Sequence, residues 1–369
     1  MSPSVPLRYG WHAESYSPKM ASIRLRLLEP AAALRRRGLD IGPYRGDLGP
    51  VGYAAILFSK SLSQDALGIA REARSLGRAV IYDLSDNLFA GKLARKDKQD
   101  KLARLREMLA LATCVTFPTP TLMEQVQAAV PEIAGKGRVV PDVIDCAREG
   151  AEGRSLLERY HLARLKRFLA AHGDALHCVW FGKSQGSVSG FAHLDSAVRQ
   201  LERFSLRHPV TLTVISNRRL RYWKSAANWR LPTHYMPWAI GSFHEALALH
   251  RVAVIPVERN GYTVGKSVNR PATAIAAGLG VVADAIDSYE ELRPFIPLDD
   301  WQGGLQRYLA RPPAEDPDLL AAAGLLRQRY SPDAVAARWE GLLAEASALC
   351  GAAPPQAARN APHRAMLVP

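Results

Sequence analysis

Lys266, Ser267, Asn269 and Arg270 stand together in GKSVNRPATAIAAG (265–278), with no carboxylate among them. Two cations, a hydroxyl and an amide in one short run form a donor set for an anion, above all a phosphate. The apolar run RVAVIPV (251–257) upstream reads as a strand, and the small residues from Ala272 to Gly278 read as a helix packed closely on a sheet. The helix is expected to start near Ser267. Free N–H groups and the dipole at such a start favour a phosphate. Lys266 adds a full charge there, and Arg270 follows one turn on.

A second stretch, WFGKSQGSVSG (180–190), also reads as strand, glycine-rich loop and helix. Gly182, Gly186 and Gly190 follow a GxxxGxxxG spacing, not the GxGxxG dinucleotide fingerprint. Such a loop lets backbone approach a ligand, and Lys183 can reach a diphosphate. IYDLSDN (81–87) sets Asp83 and Asp86 at another strand end. There they can hold a divalent ion, act as acid or base, or bond neighbouring backbone. MASIRLRLLEPAAALRRRG (20–38) opens a helix that carries Arg24, with Ile23, Leu27 and Leu34 as its apolar stripe and a kink expected at Pro30. His12, His193, His234 and His244 show no metal-ligand spacing and read as structural groups. No GxSxG elbow occurs, and GYTVGKS (261–267) is one residue short of the P-loop spacing, which argues against an ATPase.

The elements that must position these residues alternate. Strands are expected at 54–60, 78–84, 113–118 and 138–145, with helices at 64–77 and 92–112; Leu102, Leu105 and Leu109 form the apolar stripe of the latter. Thr119 is placed to cap a helix with Pro120 in its first turn. A charged, Ala-rich segment over 146–175 reads as a linker with some helix. The pattern then restarts, with strands at 176–182, 210–216, 251–257 and 280–284. Helices are expected at 191–204, at 241–250 behind a Ser242 cap, and at 331–349 with Val335, Trp339 and Leu342 on one stripe. Strand–helix alternation of this kind argues for parallel sheets wrapped by helices. The fold class is therefore α/β with two Rossmann-like domains facing across a cleft. The expected divisions are 1–150, 151–330, a C-terminal helix at 331–350 and a disordered tail at 351–369. Ligands of such sheets bind beyond the carboxyl ends of strands.

Composition narrows the function classes. The chain has 369 residues, 48% hydrophobic and 22% charged, as expected for two soluble domains. No apolar window is long enough to span a bilayer. The N-terminus has no signal-peptide pattern, so a cytoplasmic protein is expected. The four cysteines form no CxxC pair, which argues against a zinc site or a disulfide framework. A formal net charge of +13 predicts attraction to phosphates. No nucleic-acid motif accompanies it, so no specific nucleic-acid partner is expected. Lys92, Arg95, Lys96, Lys98, Lys101, Arg104 and Arg106 give one helix a basic character suited to transient contact with an anionic membrane surface.

Five segments in order resemble the GT-B glycosyltransferases, specifically the retaining, nucleotide-sugar-dependent group classed as family four. They are SIRLRLLEPAAALRRRGLD, VIYDLSDNLF, TCVTFPTPTLMEQV with VVPDVID, VWFGKSQGSVSGFAHL, and HRVAVIPV with GKSVNRPATAIAAGLGVVAD. The resemblance covers roughly 20–345. It implies a nucleoside diphosphate sugar held mainly by the second domain and an acceptor, a sugar, lipid-linked or other glycan, facing the first. It implies sugar transfer with retention, no metal and no cofactor, in surface polysaccharide or glycoconjugate synthesis. Lys183 and Ser189 stand at the positions of the family's Arg and Lys that grip the diphosphate, so one charge is missing, and Lys266 stands where many relatives have a donor-loop lysine. With Lys183 and Lys266 as catalytic cations, Gly182, Ser267, Asn269, Arg270, Thr273 and Glu258 fall on the donor side, and Arg24, Asp83 and Asp86 on the acceptor side. The family's E-x7-E pair falls on Gly265 and Thr273, neither of them acidic; Glu258 is nearest but outside that register. A catalytically inactive, nucleotide-binding scaffold of the same fold is the alternative.

Overall fold

The computed structural model describes residues 8–90, 96–146, 154–184 and 190–351. Contacts divide the chain into two compact units, Met1–Val143 with Pro332–Pro369, and Ile144–Ser331. The last helix, Pro332–Leu349, is thus part of the first unit. Gly186, Ser189, Lys92, Arg95 and the tail from 352 lie outside the described residues.

The first unit is built on a parallel sheet of β1 (Arg8–Ala13), β2 (Ile41–Pro43), β3 (Tyr53–Ser59), β4 (Ala79–Asp83), β5 (Cys114–Phe117) and β6 (Gly137–Val139), in the order β2-β1-β3-β4-β5-β6. β3, β4 and β5 are buried along their whole length, which is why they read as unbroken apolar runs. β1 was not expected; its sequence RYGWHA mixes polar and aromatic residues. Trp11 of β1 meets Trp339 of the last helix edge-on at 5.1 Å, and Val335, Leu342 and Leu343 join the same core. Arg138 pairs with Glu345 and Arg37 with Glu340 along that helix. Thr119 caps Pro120–Ala129 as expected, its hydroxyl accepting from Leu122 N–H at 3.1 Å.

The helix expected around Pro30 is less regular than its pattern suggests. A π-helical stretch, Arg24–Leu28, joins Ala21–Ile23 to Glu29–Arg36. Glu29 N–H reaches back to Arg24 O. The distortion therefore sits upstream of Pro30, where a proline ring crowds the carbonyl four residues earlier. Leu25 O is instead taken by Val143 N–H.

The second unit carries β7 (Leu176–Phe181), β8 (Val210–Ser216), β9 (Thr233–Pro237), β10 (Val252–Ile255) and β11 (Gly280–Ala283), all parallel, in the order β11-β10-β7-β8-β9. From β7 the chain steps outward through β8 to β9, then returns to lay β10 on the other side of β7. The topological switch point is therefore between β7 and β10, the place where open parallel sheets bind ligands. β9, THYMP, was not expected, nor was the helix Arg219–Ala226 before it. The segment expected to be a linker contains the capped helix Leu156–Ala170. The Ser242 cap is not formed: its backbone (φ −120°, ψ −7°) is outside the extended geometry a cap requires, and its hydroxyl bonds nothing. Ala239 O already takes the N–H groups of Ser242 and Phe243.

Candidate functional site

The carboxyl end of β7 runs into Gly182, Lys183 and Ser184, and the chain re-enters the described structure at Gly190. Gly190 has φ +63°, and a Cβ there would lie 2.8 Å from Lys183 O. Glycine is therefore required both for the left-handed conformation and for the close turn. The carboxyl end of β10 runs into a loop closed by its own side chains. Asn260 Oδ1 accepts from Tyr262 and Thr263 N–H, and Thr263 Oγ1 donates to Glu258 O at 2.5 Å. Lys266 Nζ lies 4.0 Å from the centre of the Tyr262 ring, and Lys266 O accepts from Ser288 Oγ at 2.6 Å.

The helix after this loop is Asn269–Ala276, two residues later than Ser267 would suggest. Proline sets the start. With Ser267 as cap, Pro271 would be the fourth helical residue, whose N–H must bond the cap carbonyl. Starting at Asn269 moves Pro271 into the first turn, where no N–H is needed. Ala272 N–H then bonds Val268 O at 3.0 Å. The shift leaves Ser267 in the loop and removes one of the backbone donors expected to cradle a phosphate.

Arg270 instead approaches the glycine-rich loop in space. Its Nη2 lies 3.5 Å from where a Cβ on Gly182 would stand and 3.7 Å from one on Gly190. The structure thus brings together two motifs distant in sequence, the glycine-rich loop after β7 and the basic helix after β10, at the switch point of their sheet. Arg270 makes no ion pair among the described residues. Thr273, on the same helix, is 1% exposed and its hydroxyl bonds nothing. Asn269 Nδ2, one turn before it, and Trp180 Nε1, on β7, are also buried without partners. Buried polar atoms are rarely left so unless a ligand or water completes them.

Lys183 is exposed beside this loop. Glu258 is 78% exposed; its N–H donates to His193 Nδ1 at 3.1 Å, and its carboxylate lies 3.7 Å from His193 Nε2. The accepting Nδ1 fixes the ring's proton on Nε2, facing the carboxylate. No spacing marks His193, which in sequence reads only as a structural group. Asp284 is the other nearby carboxylate. It accepts from Val257 N–H and Trp301 Nε1, and burial raises its pKa. The Glu258 and Asp284 carboxylates lie at the ends of β10 and β11, outside the Gly265 and Thr273 positions.

In the first unit, Asp83 is enclosed. Arg26 Nη2 donates to its Oδ1 at 2.6 Å and Arg26 Nε to both oxygens at 3.0 Å, while Thr116 and Ser59 hydroxyls add 2.7 and 3.3 Å bonds. Arg26 also reaches Asp142 at 2.8 Å. Asp86 pairs with Lys60 at 3.2 Å. Arg24 is buried and donates to Pro18 O at 2.6 Å. The sheet's own switch point lies between β1 and β3. It presents His12, whose Nδ1 is 2.7 Å from Ser61 Oγ, and Glu14, which accepts from Leu62 N–H at 3.0 Å. Only recognising RYGWHA as a strand would have pointed to them.

The structure is similar to Anabaena HepE solved with UDP and glucose (TM-score 0.56, 13% identity, 92% of this chain and 99% of that one). It is also similar to a UDP-forming α,α-trehalose-phosphate synthase from Burkholderia vietnamiensis (0.56, 11%, 81% and 72%) and to TarM (0.54, 8%, 79% and 55%). The fold is that of the GT-B glycosyltransferases. No family model and no curated protein matches the chain. Within this GT-B chain, the β7 and β10 ends supply cations and unsatisfied donors, a set matched to an anionic ligand. No helix among the described residues is long and apolar enough to cross a membrane.

Proposed function

We propose that the protein is a glycosyltransferase that takes a sugar from a nucleoside diphosphate sugar and passes it, with retention, to a glycan or lipid-linked acceptor. The observation that carries the reading is Arg270, drawn against Gly182 and Gly190 at the switch point with no carboxylate paired to it among the described residues. A cation so placed meets the charge that grows on a departing diphosphate. Preorganised charge of this kind can be the largest single catalytic contribution. Lys266 and Lys183 extend it, so the leaving group is neutralised by side chains without a metal or other cofactor. The neighbours solved with UDP and glucose, or named as UDP-forming, support a nucleotide-sugar donor. We place the reaction on the cytoplasmic side, with the helix Lys96–Leu111 near an anionic membrane surface.

Gly265 and Thr273, where the resembling family has glutamates, favour a second reading: a nucleotide-binding protein of this fold without turnover. A panel of nucleotide sugars, read by thermal shift and then by transfer or donor hydrolysis, separates the two. Binding with turnover supports the enzyme, binding without turnover supports the second reading, and no binding to any donor overturns both. Lys266→Ala is expected to weaken donor binding by about 1.5–3 kcal/mol, the usual scale of a charge-assisted contact.

A further inference from the structure

The second unit has another concentration of positive charge, on two helices beside its edge strand. A cavity of about 150 Å³ opens beside β9, lined by His161 and Arg164 of the helix Leu156–Ala170, Arg219 and Tyr222 of the helix Arg219–Ala226, and Thr233 and His234 of β9. No carboxylate lines it. Arg164 and Arg219 make no ion pair among the described residues; each lies over an aromatic ring, Tyr160 at 5.9 Å and Trp223 at 4.5 Å. Tyr222 and Thr233 bring hydroxyls 2.8 Å apart. His234 stacks on Phe168 at 5.2 Å, and burial with the Arg164, His161 and Arg219 charges lowers its pKa to about 4. These groups line one cavity, and an anion there would offset the two guanidinium charges.

We propose that this cavity is a phosphate-binding site separate from the one at β7 and β10. Its volume falls below the ~300–1,000 Å³ of sites for drug-sized ligands, which suits a ligand as small as one phosphate group. β9 is two strands beyond β7, about 10 Å across the sheet, and the cavity shares no lining residue with the glycine-rich loop. Arginine forks and neutral imidazoles match phosphate oxygens. The two flanking helices also expose apolar side chains, Leu157 and Tyr160 on one and Leu220 and the cavity-lining Trp223 on the other. Leu157, His161 and Arg164 fall on one helical face. A phosphate carried on an apolar chain would meet both surfaces, whereas a soluble phosphate would use the cavity alone.

The test compares the full chain with Arg164→Gln/Arg219→Gln, both exposed positions whose loss leaves the core intact. The probes are inorganic phosphate at constant ionic strength and vesicles of phosphatidylcholine with or without phosphatidic acid. The wild type is expected to bind at least one phosphate-bearing probe, and the double variant to bind it at least tenfold more weakly. Lys224→Gln, outside the cavity, is expected to change it less than twofold. Binding of inorganic phosphate alone identifies a soluble source, and binding of phosphatidic acid vesicles identifies a lipid headgroup. No binding of either probe, equal binding by wild type and double variant, or an equal loss in Lys224→Gln overturns the site. Melting curves confirm that each variant is folded, and nucleotide-sugar binding, read separately, keeps the result independent of the donor site.

Discussion

Arg26 and Arg270 both serve the carboxyl ends of parallel strands, one in each unit, and their surroundings are opposite. Arg26 is 1% exposed and enclosed by Asp83 and Asp142, with Val140 O accepting a further bond at 2.9 Å. Every strong donor it has is used by the protein itself. Arg270 is partly exposed, has no carboxylate partner among the described residues, and shares its helix with two unsatisfied polar side chains. A cation closed by carboxylates holds a fold together. Arg270 lies beside Gly182 and Gly190 and near orphaned donors, and on the proposed reading its charge is left for a ligand that arrives with its own. The missing glutamates belong to the same contrast: a carboxylate at Thr273 would share a helix face with Arg270, and this chain leaves that position neutral.

The largest expected effect tests the closed side. Arg26→Met strips a carboxylate that is 3% exposed of its cation, leaving Asp83 with two hydroxyls. Removing one partner of a buried pair costs about 3–5 kcal/mol. Chemical denaturation should show that loss, and Arg26→Met/Asp83→Asn should recover part of it. Donor affinity of the folded fraction should be unchanged. A fall in donor affinity matched to Arg270→Ala would erase the distinction between the two arginines.

Acid separates the units next. His250 is buried in the second unit, its Nδ1 2.8 Å from Ala246 O and its Nε2 2.7 Å from Thr213 Oγ1. Burial lowers its pKa to about 4. The folded state therefore keeps the ring neutral where the unfolded chain would protonate it near 6.5. The associated stability is complete above about pH 6.5 and is lost as pH falls toward 4, by about 3 kcal/mol for the full shift. Hydrogen exchange between pH 7 and 4 should show second-unit amides losing protection across this window. His250→Gln should flatten the loss, and an unchanged pH profile in that variant would assign the effect elsewhere.

Arg270→Ala tests the open side. A lost charge-assisted contact of about 1.5–3 kcal/mol corresponds to a tenfold or greater weakening of nucleotide-sugar binding. Stability should move little, because the guanidinium has no carboxylate partner to abandon among the described residues. A large fall in melting temperature with donor affinity intact would make Arg270 structural, like Arg26.

How much of this contrast is legible in the sequence differs by level. The fully buried strands were visible because burial on both faces demands continuous apolar runs. β1 and β9 were not, because RYGWHA and THYMP carry polar and aromatic residues. The basic and glycine-rich motifs were visible as residue types beside strands. Their meeting was not, since it depends on β10 returning to the far side of β7, a crossover no local pattern encodes. Arg26 shows the same limit. Its partner Asp83 lies a helix and two strands away in the chain, and Asp83 by itself reads equally well as a metal ligand, an acid or a structural anion. The helix start at Asn269 was legible in principle, since Pro271 forbids the earlier start.

The smallest effect on stability is the most discriminating. Thr273→Val keeps the shape of a buried residue and removes a hydroxyl that bonds nothing among the described residues. If that hydroxyl has no ligand to serve, the change relieves a buried unsatisfied group and is neutral or stabilising, within about 1 kcal/mol, with no effect on the donor. If it contacts the bound nucleotide sugar, the apo protein is equally stable or more so, while kcat/KM or donor affinity falls by the worth of one neutral hydrogen bond, about 0.5–1.5 kcal/mol. Donor affinity must fall with no loss of stability for Thr273 to belong to the open side. A variant that loses stability and donor binding together would place the hydroxyl with the packing of the helix, and the ligand-facing set would contract to Arg270 and Asn269.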